Sequence, residues 1–162
     1  MNYDGLSKLG YGMYLVNAGD NALLANLVMQ ASSDPATICV SIGKNNLTHD
    51  LVNGSGKFNV SVLTEAADLD FLTRFGFKSG RDQDKMAQAD CEIFEGIKTV
   101  VQNCNALIVC EVINKVDRGT ATVSFCKVVA KQARLLYTSD SADAPLCVAR
   151  GGRRTIKQIS SK

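Results

Sequence analysis

The sequence predicts a mainly β protein: a closed or nearly closed barrel of at least six short strands with a few short helices. Two observations carry this reading. Short β-branched or alternating runs recur from Gly12 to Val129, and turn residues separate them. Helix-like stretches are too few to stand between nearly every pair of strands, as a doubly wound sheet requires.

Taken in order, Asp4 to Leu9 is read as a short helix and Gly12 to Asn17 as a strand. Gly19-Asp20-Asn21 supplies a turn, because these residues tolerate positive φ or bond their own backbone. Ala22 to Ala31 suits strand or helix by pattern; the turn before it and Ser32-Ser33-Asp34-Pro35 after it favour a strand. Thr37 to Ile42 is β-branched and nearly all apolar, a strand. Thr48 to Val52 is a short helix, with Thr48 as N-cap and Asp50 in its first turn. Lys57 to Leu63 alternates strictly. Phe58, Val60 and Val62 point one way and Lys57, Asn59 and Ser61 the other, which predicts one buried face. Ala66 to Phe75 reads as a helix, and Lys85 to Gln102 is weakly patterned. Ala106 to Ile113 and Ala121 to Val129 are strands, joined as an antiparallel hairpin by a loop longer than two residues around Asp117-Arg118-Gly119-Thr120.

The 162 residues suit one domain. No apolar run approaches the roughly 18 residues of a membrane span, and the N-terminus lacks the layout of a secretory signal. A cytoplasmic protein is expected. The net charge of +2 hides an asymmetry. Residues 1–135 hold 13 cations and 14 carboxylates, whereas residues 136–162 hold 5 and 2. The body is therefore no basic nucleic-acid binder, and no Lys/Arg stripe interleaves with aromatics. The six cysteines are scattered, without a C-x-x-C. Most are read as buried thiols in a reducing compartment, Cys39, Cys110 and Cys126 lying in apolar strand-like runs. His49 is the only histidine and no cysteine pair has ligand spacing, so no metal site is expected.

The tail reads differently. Leu135 to Asp143 and Cys147 to Lys157 resemble translated sequencing-adapter read-through. The expectation is a domain over residues 1–135 and a tail, 136–162, that is wholly or partly non-native. A basic C-terminal extension is the alternative.

Three segments carry candidate chemistry. In Asn26 to Pro35, Asn26, Gln30 and Ser32 are spaced by even numbers, so in a strand they share a face. That face lines a ligand groove or is simply solvated. In Ser41 to Asp50 a strand end, Lys44 and a helix start at Thr48 follow one another. Free N–H groups at a helix start attract anions, although the P-loop spacing is absent and an ordinary capped helix fits equally. In Phe75 to Lys85, Lys78, Arg81 and Lys85 alternate with Asp82 and Asp84, and Gly76 and Gly80 let the backbone turn tightly. Arg81 and Lys85 suit phosphate, Arg81 through its planar fork; a solvated loop with local ion pairs is the plainer reading.

The ordered set Tyr11-Gly-Met-Tyr14, Asn26 to Pro35, Val40 to Asp50, Phe58 to Leu63, Phe75 to Lys85 and Asp117-Arg-Gly-Thr120 resembles the flavin reductase-like family. More narrowly, it is similar to the flavoredoxin and NAD(P)H:rubredoxin oxidoreductase branch, over about residues 3–134. The resemblance implies a Greek-key-like split β-barrel that binds FMN, with FAD less favoured, and acts as a homodimer. It implies that Asn26, Leu27 and Gln30 face the ring and ribityl chain. Ser32, Ser41, Lys44 and Thr48 would surround the chain and phosphate, and Phe75, Ser79, Gly80, Arg81 and Lys85 would close the site. His49 falls in the matched motif and joins them. The implied reaction passes electrons from NAD(P)H through the flavin to a rubredoxin-like protein, free flavin or ferric iron, with no side-chain acid or nucleophile. A non-catalytic cofactor-binding barrel, serving as carrier or sensor, and a truncated inactive fragment are the competing readings. Where the family often has Gly-Thr-His, this chain has Gly119-Thr120-Ala121. Where the family continues past the last strand with an aromatic-rich segment, this chain has Pro145-Leu146-Cys147-Val148, either a remnant of it or its replacement by a non-native tail.

Overall fold

The structure, a computed structural model, describes residues 5–134. The tail, including Cys147, and the expected helix start at Asp4 lie outside the described residues. After a 3-10 turn at Leu6–Lys8 the chain forms β1 (Tyr14–Ala18), β2 (Asn21–Ala25), β3 (Val28–Ser33), β4 (Ala36–Gly43), α1 (Leu47–Ser55), β5 (Lys57–Leu63), α2 (Leu69–Gly76), β6 (Cys91–Phe94), β7 (Ile97–Val100), β8 (Cys104–Arg118) and β9 (Ala121–Ala133).

Seven strands make one antiparallel sheet in the order β2-β1-β5-β8-β9-β4-β3. Its two edge strands, β2 and β3, are consecutive in the chain and separated only by Asn26 and Leu27. The sheet therefore curls until its edges meet. Val16, Leu23, Val40, Phe58, Val60, Cys110 and Cys126, drawn from β1, β2, β4, β5, β8 and β9, accordingly share one apolar cluster. The mainly β barrel expected from the sequence is the fold observed. A second cluster lies outside the barrel wall, where Leu15, Leu63 and Leu107 pack against Phe71 and Phe75 of α2.

Several boundaries differ from expectation, each for a local reason. The single strand read over Ala22 to Ala31 is two strands, broken at Asn26-Leu27, and β3 carries a bulge between Gln30 and Ser32. Even spacing thus fails to keep Asn26, Gln30 and Ser32 on one face. Asn46, not Thr48, is the N-cap of α1, and Thr48 is buried inside its first turn. Helix α2 starts at Leu69 because Asp68 caps it, its carboxylate accepting from the Phe71 N–H at 2.8 Å. The β8–β9 turn is tight: Arg118 pairs with Ala121, leaving Gly119-Thr120 as a two-residue loop. Gly119 takes φ +73°, a conformation that suits glycine.

The largest difference concerns the polar face of β5. Asn59 and Ser61 are fully buried rather than solvated. The cover is a hairpin, β6–β7, in the stretch that reads as weakly patterned. Its attachment is polar. Asn17 Nδ2 donates to Ser61 Oγ (2.9 Å), and Asn17 Oδ1 accepts from the Val100 N–H (3.0 Å). Ser61 Oγ donates to the Val100 carbonyl (2.7 Å), and Asn59 Nδ2 donates to Thr99 Oγ1 (2.8 Å) and the Phe94 carbonyl (2.7 Å). Buried polar groups are tolerated in a core when bonded in this way.

Of the three cysteines expected in apolar strand runs, Cys110 and Cys126 are buried free thiols but Cys39 is only half-buried; Cys104 is also buried, and Cys91 is half-buried. Burial pushes the Cys104 thiol up to about 11 and raises Cys110 further. Such thiols stay protonated and inert near neutral pH.

Asn17→Ala should lower unfolding free energy by about 1–3 kcal/mol, because it strands the buried Val100 N–H and removes a donor to Ser61. Urea denaturation against a surface Asn→Ala control, Asn53→Ala, measures this. A loss no larger than the control's would show that the hairpin is held by other contacts.

Candidate functional site

The expected site residues fall into three groups in space. The first surrounds a pocket of ≈ 170 Å³ at the start of α1. Helix α1 forms where β4 ends, and Asn46 sits in extended backbone ahead of it. The Asn46 amide makes no cap bond and donates to the Gly43 carbonyl instead (3.1 Å). The first-turn N–H groups of Leu47 and Thr48 have no acceptor within the helix. Both residues line the pocket with Asn45, facing Ser79, Gly80 and Lys85 from the loop after α2.

Asn21, at the start of β2, ties the two sides together. Its Nδ2 donates to Thr48 Oγ1 at 2.8 Å, and both side chains are buried. Gly80 lies so close to Asn21 that a Cβ there would overlap the amide. Lys85 is 4 % exposed. Its ammonium donates to the Phe75 carbonyl at 3.3 Å, and among the described residues no carboxylate pairs with it. Burial pushes its pKa down. A buried cation beside free helix N–H groups is an anion-binding arrangement.

The second group lies between α1 and the β8–β9 turn. Lys44, expected at a phosphate, is instead paired with Asp117 at 2.6 Å. Its hydrogen bond, followed by that of the Gly119 N–H, holds the Asp117 carboxyl below the usual range. His49 Nε2 lies 2.9 Å from Thr122 Oγ1, so it links α1 to β9. Arg81 pairs with Asp50 at 2.5 Å, which fastens the Ser79–Lys85 loop to α1. The Asp50 carboxyl is held low chiefly by Arg81 and secondarily by His49.

The third group is the β2–β3 break. Asn26 and Leu27 are exposed there, and the Leu27 carbonyl accepts from the Ser41 N–H at 3.0 Å. Gln30 and Ser32 stand apart from Asn26, lining a separate hollow of ≈ 440 Å³ with Tyr14 and Ile38. Phe75 turns its ring into the core, 5.0 Å from Phe71, and is fully buried. It offers the site a carbonyl, not a face.

The structure brings Thr48, Ser79, Gly80 and Lys85 together around one pocket, with Asn21, Asn45 and Asn46, which the sequence did not single out. A signal for the last two was present: polar residues packed between a strand end and a helix start. Asn21 reads only as a turn residue, and its role follows from the approach of Gly80. Among the described residues no group of His, Cys, Asp and Glu could hold a metal ion, and no helix is long and apolar enough to cross a membrane.

Comparison with known proteins agrees with this architecture. Residues 6–157 match the family described as flavin reductase like domain. A high molecular weight rubredoxin from Moorella thermoacetica is 38% identical over 141 residues, covering 84% of this chain and 61% of the relative. This chain thus spans about three fifths of that relative's length. A ferric-chelate reductase (NAD(P)H) from Archaeoglobus fulgidus is 34% identical over 149 residues, covering 86% of this chain and 88% of the relative. The solved structure of flavoredoxin from Methanosarcina acetivorans superposes with a TM-score of 0.71 at 17% identity, over 79% of this chain and 71% of that one. That likeness speaks to the fold, and the sequence matches speak to descent. The barrel with meeting edges, the helix-start pocket and the extent of these matches lead to one assignment: the chain belongs to the flavin reductase like domain family.

Proposed function

We propose that this protein is an FMN-dependent oxidoreductase that takes electrons from NAD(P)H and passes them to a second acceptor. Family membership supports the reaction class. The observation that carries the choice of cofactor is Lys85, a buried ammonium without a carboxylate partner among the described residues, in a pocket that also holds the start of α1. A terminal phosphate supplies the missing negative charge and accepts the free N–H groups. The pocket's donors therefore fit the phosphate end of FMN.

In this reading Lys85, the Leu47 and Thr48 N–H groups and Ser79 hold the phosphate. Asn21 and Gly80 set the spacing of the pocket walls. Arg81 and Asp50 keep the loop closed over it, acting on position rather than on the phosphate. Asn26, Leu27 and Ser41, at the β2–β3 break, would flank the ring and ribityl chain. FMN, when bound, supplies hydride acceptance and onward electron transfer. The protein's own part is binding, orientation and electrostatics, which is why no triad or paired acid is needed.

The acceptor we favour is a rubredoxin-like protein, with ferric iron or free flavin as the other candidates. We also infer a homodimer. Leu27 (43% exposed) and Met29 (65%) leave apolar surface beside the break, where a second copy would cover both them and the flavin edge.

Loading the purified protein with FMN and adding NADH or NADPH without oxygen should bleach the flavin absorbance. A yellow protein that does not bleach would make it a carrier or sensor rather than a reductase. Lys85→Met should act in opposite directions on two measurements. FMN affinity should fall about 10–100-fold, the loss expected for one charge-assisted hydrogen bond. The cofactor-free protein should gain thermal stability, since an unpaired buried charge gives way to a side chain of similar length. Unchanged FMN affinity would remove Lys85 from the phosphate site. Acidification should also weaken the site's frame. Asp50 and Asp117 have depressed pKa values in the fold, so their ion pairs stabilise it fully above the ordinary carboxylate pKa. That contribution is lost as pH falls through the depressed values. Melting temperatures measured from pH 6 down to about pH 3 should show the decline, and Asp50→Asn should make it shallower. An equal slope in the variant would count against Asp50.

A further inference from the structure

We propose that this protein selects FMN over FAD, and that Asp82 and Asp84 carry the selection. The inference rests on the phosphate pocket proposed above. That pocket measures ≈ 170 Å³, and a second hollow of ≈ 570 Å³ opens beside it. Asn21, Leu47 and Gly80 line both, so the two hollows adjoin, and the outer one offers the inner pocket an exit. FMN ends at its phosphate and stops there. FAD continues into a second phosphate and an adenosine, which must leave through that exit.

The exit carries the wrong charge for a second phosphate. Asp20, Asp82 and Asp84 line the outer hollow, and Arg81 is the only cation among its lining residues. Arg81 is already paired with Asp50. None of the three carboxylates has an ion-pair partner among the described residues. Asp82 and Asp84 belong to the same loop as the phosphate-facing Ser79, Gly80 and Lys85, so they stand at the mouth rather than at a distant wall. Size is not the barrier, since the outer hollow is the larger of the two. The barrier is charge, and the side chains that hold the first phosphate are flanked by ones that repel the next.

Two like charges about 6 Å apart in water-like surroundings change affinity about threefold. Several carboxylates near one phosphate should therefore give FMN an advantage of about tenfold or more.

The test is a fluorescence titration of the purified protein with FMN, FAD and riboflavin. The wild-type protein should bind FMN about tenfold or more tightly than FAD. Asp82→Asn/Asp84→Asn should bring that ratio within about threefold, while FMN affinity itself moves by less than about threefold. Asparagine retains the oxygen that accepts from the Met86 N–H at position 84, at 2.9 Å in the parent. Raising salt to about 1 M should narrow the wild-type ratio too, because a charge barrier is screened and a steric one is not. Equal wild-type affinity for FMN and FAD would overturn the proposal. So would a ratio that neither the double variant nor salt changes. If the double variant does not fold, Asp82→Asn and the wild-type salt series decide. Riboflavin separates this inference from its basis. FMN binding no better than riboflavin would overturn the phosphate pocket and the selection with it. FMN preferred over riboflavin but not over FAD would overturn the selection alone.

Discussion

One buried ammonium organises the working end of this protein. Lys85 is 4 % exposed and bonded to a carbonyl, without a carboxylate partner among the described residues. Burying a charge in this way costs stability unless something compensates. Asn21, Thr48 and Gly80 are arranged around that cost rather than around close packing: an amide holds a hydroxyl, and a glycine lets the loop come in close. The Arg81–Asp50 pair then holds the loop against α1. The protein thus keeps an unpaired buried charge that the proposed phosphate would relieve, at a cost to fold stability.

The barrel supplies the geometry for this. The first and last strands of the sheet are neighbours in sequence, so closure needs only a two-residue step at Asn26-Leu27. That step interrupts the ladder, and an interrupted ladder exposes backbone and side chains that a continuous strand would bury. The break and the helix-start pocket flank the same strand, β2, with Asn21 at one end and Ala25 at the other. Roughly 13 Å of strand separates those two residues at the usual rise. An extended ligand bridging pocket and break matches that separation better than a compact one.

Much of this was legible in the sequence, but unevenly. The fold class followed from period-2 patterning, which survives small boundary errors. Thr48 and Lys85 were legible as a helix start and a loop cation, groups that suit an anion, whereas Ser79 and Gly80 came to the site only through the family resemblance. Lys44 pairs with Asp117 rather than lining the pocket, for a physical reason. Its partner Asp117 lies 73 residues away, across the β8–β9 turn, and no local rule announces that pairing. Phe75 is expected to close the site only through the family resemblance. Its place in α2 turns the ring inward, onto Phe71. The break within β2–β3 was hidden because Asn26 is tolerated in a strand pattern, and only the register shows that the ladder stops.

The hairpin β6–β7 was missed because its cover is polar, and that polarity has a consequence of its own. An apolar face accepts several sliding alignments of a strand laid across it at similar cost. A face presenting Asn17, Asn59 and Ser61 is more selective, because its amides and hydroxyl bond Phe94, Thr99 and Val100 of the hairpin. A shift of two residues keeps the pleat and offers backbone partners again, but it takes Thr99 Oγ1 away from the Asn59 amide. The amides act as an address label on an otherwise greasy surface, trading some stability for a unique seat.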